Sequence, residues 1–227
     1  MTKRKDLITI KNPVQPTKDD DEEVHEHIMP IEALMSMMGG NNVQAQLEDK
    51  GILFIEDVIT KDTISRATKK LMALHFNAQF TDQIQIILNS PGGYCDAGWA
   101  FIDLMGWCKN PITTIALGEI CSMATSIFIA GDNRVMSTNC SAMIHQFSDY
   151  GEGSYGDLIA KNKFWEMEYS KDLAHLLRCS KYKNKEQIKK HILKDHDHWL
   201  SPQDMKKHGL CDVIFVPPAR GKKPACK

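Results

Sequence analysis

Three times between residues 51 and 131 a short apolar, β-rich run gives way through a few turn residues to a stretch with helical spacing. GILFIEDVI (51–59) precedes TKDTISRATKKLMALHF, QIQIILNS (83–90) precedes CDAGWAFIDLMGWCK (95–109), and ITTIAL (112–117) precedes CSMATSIFIAGD. A strand that returns to its sheet through a helix must run parallel to its predecessor, so this alternation predicts an α/β fold built on parallel strands. Within the first helical stretch Ile64, Ala67, Leu71 and Leu74 fall on one face. Beyond the third unit, NRVMST and SAMIHQF (141–147) read as strands, residues 155–180 as a long helix and NKEQIKKHIL as a shorter one. SPQDMKKHG reads as a helix capped by Ser201, with Pro202 in its first turn and Gly209 as its stop, and LCDVIFV reads as the last strand.

Composition narrows the setting. The 227 residues suffice for one large domain with an extension, and a net charge of −1 offers no overall basic excess for nucleic acid. The N-terminus carries no apolar run of signal-peptide or membrane-span length. Seven scattered cysteines, without a CxxC pair, argue against a disulfide framework or a zinc knuckle and for a reducing compartment, so a cytoplasmic protein is expected. The acidic block Asp19–Glu23 and the Gly-Gly-Asn-Asn break after the methionine-rich run read as part of a flexible or processed extension over residues 1–45. The folded domain is then expected over 46–217, with a disordered tail over 218–227.

In parallel α/β sheets reactive groups gather at the carboxyl ends of the strands, which places the turns NSPGGY and GEICSMATS side by side. The glycines of the first allow positive φ and close backbone approach, so their amides can hold an anion or a developing oxyanion. In the second, Ser122 stands where strand becomes helix, as a helix cap, a packing residue or a nucleophile facing free amides. A nucleophilic serine needs a base, and His145, closing the stretch SAMIHQF, is placed for it. His75, His175 and His208 read as helix-surface residues. Asp195 and Asp197 are both candidates for the orienting acid, and spacing does not choose between them. The HDH run at 196–198 lacks the further ligands of a zinc site.

The segments ILNSPGG, GEICSMATSIFIAG, SAMIHQ and DHWLSPQDMKKHGLCDVI, in this order between about Gly51 and Ile214, together resemble the Clp protease proteolytic subunit family, ClpP. The resemblance implies a ClpP/crotonase-like fold of repeated β-β-α and βα units, with residues 155–180 as a protruding handle helix. It implies a serine endopeptidase acting on polypeptides, with Ser122 as nucleophile, His145 as base and Asp197, rather than Asp195, as acid. Gly93 and Met123 would supply oxyanion-hole amides, and no metal or organic cofactor would be needed. It further implies a homo-oligomer of stacked seven-membered rings fed by an AAA+ unfoldase, with no nucleic acid or membrane partner. Cys121 stands where bacterial members usually have alanine, and Phe147 where they have proline. The alternatives are a catalytically silent ring subunit and a ClpP-like viral capsid maturation protease. A crotonase-type coenzyme A enzyme has little use for the serine, histidine and aspartate, and a Ser-Lys protease would need a base lysine that no motif here supports.

Overall fold

A computed structural model describes residues 39–216, so the acidic block at 19–23 and the tail at 218–227 lie outside the described residues. The chain divides into two units at Leu47/Glu48. Helix α1 (Gly39–Asp49) includes residues 39–45 of the expected extension, and the Gly-Gly-Asn-Asn run, read as a break, opens this helix instead.

From Glu48 on, the described elements alternate as the sequence pattern requires. They are β1 (Ile52–Ile55), α2 (Lys61–Phe76), β2 (Ile84–Ser90), α3 (Cys95–Trp107), β3 (Ile112–Cys121), α4 (Met123–Ile129), β4 (Asn133–Ser137) and β5 (Ser141–Ile144). Then come α5 (Tyr155–Cys179), α6 (Lys185–His191), β6 (His198–Leu200), α7 (Pro202–His208) and β7 (Val213–Phe215). Strands β1-β2-β3-β4-β7 form a parallel path, as expected. The apolar positions of β2 (Ile84, Ile86, Leu88) and of β3 (Ile112, Ile120) are fully buried, and Phe101 of α3 and Ile127 and Phe128 of α4 pack into the same core. The buried residues of α2 are Ile64, Ala67, Leu71 and Leu74, the face its 3.6-residue spacing marks.

Local signals set the helix ends. Thr60 with Thr63, Ser154 with Asp157 and Ser201 with Asp204 form capping boxes at α2, α5 and α7, satisfying amides that lack an intrahelical partner. Gly209 ends α7 at φ 75°, a left-handed conformation that glycine adopts without penalty.

Two features depart from the sequence reading. Strand β3 does not stop at Leu117 but continues to Cys121 through an irregularity: Leu88 pairs with Ala116, and Ser90 pairs with Ile120. Gly118 (φ 63°) sits in the extra segment, and the Asn89 side chain accepts from the Glu119 amide, so the apparent turn is a bulge. Past the bulge, Glu119–Cys121 pairs with β5 (Ser141–Met143) rather than β4. The second departure is β6, a strand the sequence pattern does not mark: it pairs antiparallel to β5, with Met143 opposite Trp199 and Ile144 opposite His198. These two departures build the site.

Helix α5 spans 25 residues, about 37 Å at the α-helical rise. Its N-terminal half exposes Tyr155, Leu158, Ile159, Phe164 and Met167, while Leu173, His175 and Leu176 near its C-terminal end are buried. No helix among the described residues is long and apolar enough to cross a membrane.

Candidate active site

Ser122 lies between β3 and α4 with φ 54° and ψ −122°, the only positive φ of a non-glycine residue among those described. An L-residue enters this region only when its surroundings force it, at a cost of about 1–3 kcal/mol. The surroundings are visible. Its amide donates to Met143 O (2.8 Å) on β5, and its carbonyl accepts from the Thr125 and Ser126 amides (3.0 and 3.3 Å). The Thr125 hydroxyl lies 2.9 Å from Ile120 O and 3.1 Å from Met143 O, tying the start of α4 to both strands. The Ser122 hydroxyl makes no capping bond, so the helix-cap reading of this residue is replaced. The sharp strand-to-helix turn instead presents Oγ outward, as a nucleophile elbow does.

Oγ stands 2.7 Å from Nε2 of His145, the residue after β5. Continuing the β5–β6 ladder one step beyond Ile144–His198 sets His145 opposite Asp197. Directly opposed antiparallel residues bring their Cβ atoms to about 5 Å, and Nδ1 of His145 lies 4.0 Å from Asp197 Oδ1. Asp195 turns elsewhere, 2.8 Å from His196 Nδ1. His198 donates from Nδ1 to Ile192 O (2.8 Å), so the HDH run sends its side chains to three different places.

The SPGG turn packs directly on this elbow. The Ser90 hydroxyl donates to Asp57 O (2.6 Å) and accepts from the Gly92 amide, while Ile59 N binds Gly92 O and Tyr94 N binds Ile59 O, both at 2.8 Å. A Cβ on Gly92 would lie 2.5 Å from Cys121 O and 2.9 Å from the Ser122 Cβ. Gly92, at φ 91°, is therefore the glycine that lets the two turns touch, a role the sequence reading did not separate from that of Gly93. The Gly93 and Met123 amides donate no backbone hydrogen bond among the described residues. The Met123 side chain is buried against Gly98 of α3, where a Cβ would meet its Cγ at 2.3 Å, so its backbone is held fixed.

Gly93, Ser122, Met123 and His145 line a cavity of about 340 Å³ that Asp172 and Leu176 of α5 and Cys95 of α3 complete. The spacing of these last three from Ser122 gave the sequence no signal, because only the packing of α5 and α3 on α4 brings them in. The thiols nearby are not rival nucleophiles. Burial, with Glu119 and Asp197 adding to it, pushes Cys121 up to about 11, and burial with Asp172 does the same for Cys95.

His175, read as a surface residue, is buried under α5 and joins it to α4: Nε2–H donates to Ser126 O (2.8 Å) and Nδ1 accepts from Arg178 (2.8 Å). His208, likewise read as surface, is buried beside Tyr182, whose hydroxyl lies 2.6 Å from its Nδ1. Both lie on the inward faces of their helices, where period alone does not reveal a polar residue as core.

Comparison with known proteins assigns the sequence to a family. The Clp protease family model matches residues 37–218. ATP-dependent Clp protease proteolytic subunit 3 of Streptomyces avermitilis is 30% identical over 200 residues, covering 86% of this chain and 88% of the relative. The ATP-dependent Clp protease proteolytic subunit of Deinococcus radiodurans is 30% identical over 179 residues, covering 77% and 84%. Subunit 3 of Rhizobium meliloti is 27% identical over 202 residues, covering 87% and 96%. A strained serine in bonding contact with a histidine, on a parallel sheet whose sequence matches along most of its length, identifies the chain as a serine endopeptidase belonging to the Clp protease family.

Proposed function

We propose that this chain hydrolyses peptide bonds with Ser122 as nucleophile, His145 as general base and then acid, and Asp197 as the residue that orients the imidazole. The observation that carries the reading is the 2.7 Å contact between Ser122 Oγ and His145 Nε2 at a backbone conformation serine does not adopt by itself. The Ser122 O–H donates to Nε2, which requires the tautomer with its proton on Nδ1, the nitrogen that faces Asp197. As Oγ bonds to the substrate carbonyl carbon, its proton passes to Nε2. The imidazolium then protonates the departing amine as the C–N bond breaks. Water, deprotonated by the same nitrogen, releases the acyl group and restores the serine. The amides of Gly93 and Met123 stabilise the oxyanion, each worth about 3 kcal/mol in sites of this kind. At 4.0 Å, with the Asp197 side chain 62% exposed, the imidazole–carboxylate contact is longer than a hydrogen bond, and it shortens when substrate or a neighbouring subunit excludes water.

The peptidase domain runs over residues 46–217, with 1–45 an extension and 218–227 a tail. The subunits form stacked seven-membered rings in the cytoplasm, meshed through the apolar positions that α5 exposes, and receive unfolded polypeptide from an AAA+ unfoldase. The support for this part is the exposed apolar row on a helix that projects beyond its packed end, and relatives named as subunits of ATP-dependent proteases. Labelling with a fluorophosphonate probe tests the chemistry: wild type labels and Ser122→Ala does not, and equal labelling of the two refutes the assignment. Native mass spectrometry tests the assembly, and a stable monomer removes the rings.

A further inference from the structure

The cavity that holds Ser122 and His145 is walled largely by apolar side chains, among them Ile129, Leu176, Leu193 and Phe147. One acidic group lines it: Asp172, two turns before the C-terminal end of α5. Asp172 makes no hydrogen bond or ion pair among the described residues, because Lys171, its neighbour in the chain, is paired with the buried Glu168 instead. A half-buried carboxylate without a partner carries a cost that a cation entering the cavity removes. The local charge reflects it: burial, and then Glu168, push the Asp172 carboxyl up to about 7, against the opposing pull of Lys171. A lysine or arginine side chain suits this shape, since its alkyl stem packs on apolar walls while its charged head reaches a carboxylate.

We propose that Asp172 is the specificity-determining residue of this peptidase and that the cavity takes a lysine or arginine side chain on the acyl side of the cleaved bond. The reasoning rests on the proposed role of Ser122, because the residue whose carbonyl meets Ser122 and the Gly93 and Met123 amides extends its side chain into the space these groups share with Asp172. Glu168 deepens the negative potential, although its own carboxylate is already paired.

The test compares second-order inactivation of the full chain by peptidyl diphenyl phosphonates bearing lysine, leucine or glutamate next to phosphorus. The lysine reagent is expected to react at least about tenfold faster than the leucine reagent, as a charge-matched pocket discriminates. Asp172→Asn lowers the lysine-to-leucine ratio by about tenfold or more, Asp172→Glu retains the lysine preference, and Asp172→Lys shifts preference toward glutamate. A leucine preference in the wild type, or a ratio unmoved in Asp172→Asn, overturns the proposal while leaving the nucleophile assignment intact. If no phosphonate reacts, the nucleophile assignment fails, and binding of the fluorescent cation p-aminobenzamidine decides the pocket. Binding that is lost in Asp172→Asn supports the cation site, and equal binding or none in the wild type overturns it.

Discussion

Replacing Ser122 by glycine should make the protein more stable than replacing it by alanine, against the usual order of these residues. Both variants lose the hydroxyl and its contact with His145, so the difference between them isolates the backbone. At φ 54° and ψ −122° a Cβ is strained by about 1–3 kcal/mol, and glycine removes that strain. Glycine also loses about 0.5–1 kcal/mol through the greater freedom it gives the unfolded chain. The balance favours Ser122→Gly by about 1.3 kcal/mol, which for a domain of this size is a rise of about 3–5 °C in melting temperature. Urea unfolding and thermal melts, run at one protein concentration because association also stabilises, measure the difference. Both variants should hydrolyse peptides only at background rate. If Ser122→Ala is as stable as Ser122→Gly, the turn is relaxed, and the nucleophile-elbow reading loses its energetic basis.

Three other outcomes are expected. Gly92→Ala places a methyl 2.5 Å from the Cys121 carbonyl at φ 91°, so kcat/KM should fall by at least about a hundredfold and stability by about 2 kcal/mol or more, read from peptide hydrolysis and urea unfolding. Asp197→Asn should lower kcat by about 10³–10⁴-fold, while Asp195→Asn, which removes only a partner of His196, stays near wild type; a larger loss at Asp195 would reverse the choice of acid. His175 is held neutral by burial, helped by Arg178, at about 4 against an ordinary 6.5, with the Cys179 thiol also facing it. Between these values the unfolded chain binds the extra proton, so stability is complete above pH 6.5 and declines by about 3 kcal/mol as pH falls toward 4. Asp172, raised by burial, slopes the opposite way, so the quantity to measure is wild type minus His175→Gln, and a flat difference from pH 7 to 4 contradicts the neutral, buried state.

The repeated β and α runs made the parallel sheet legible, because strands such as β1 and β2, of four and seven residues with alternate positions buried, and helices with a 3.6-residue stripe have periods that survive in the sequence. Ser122 and His145 were legible as candidates because each stands near a boundary between an apolar run and a turn, although ITTIAL stops four residues before β3 ends and SAMIHQF runs three residues past β5. The choice of Asp197 over Asp195 was not readable from spacing, because it depends on β6, three residues long and too short to carry a period. Gly118 looked like the end of β3 because glycine marks turns and bulges alike, and only the Asn89 contact distinguishes them. The burial of His175 was hidden because its partner is a backbone carbonyl of α4, far away in the chain and identical in every residue type.

The β5–β6 pair has a mechanical consequence. The chain leaves this pair at His145 and returns to it at Asp197, so the excursion between, α5 and α6 included, is closed by one clasp whose two jaws are the proposed base and acid, while the C-terminal part of α5 is held separately on α4. Lengthening or reshaping the hanging segment leaves the opposition of the two jaws unchanged, because the ladder and not the excursion sets it. A load applied to the exposed end of α5 reaches the sheet by two routes, through the buried anchor of Leu173, His175 and Leu176 and through the segment that leaves the clasp at His145, and only the second bears on the 4.0 Å gap.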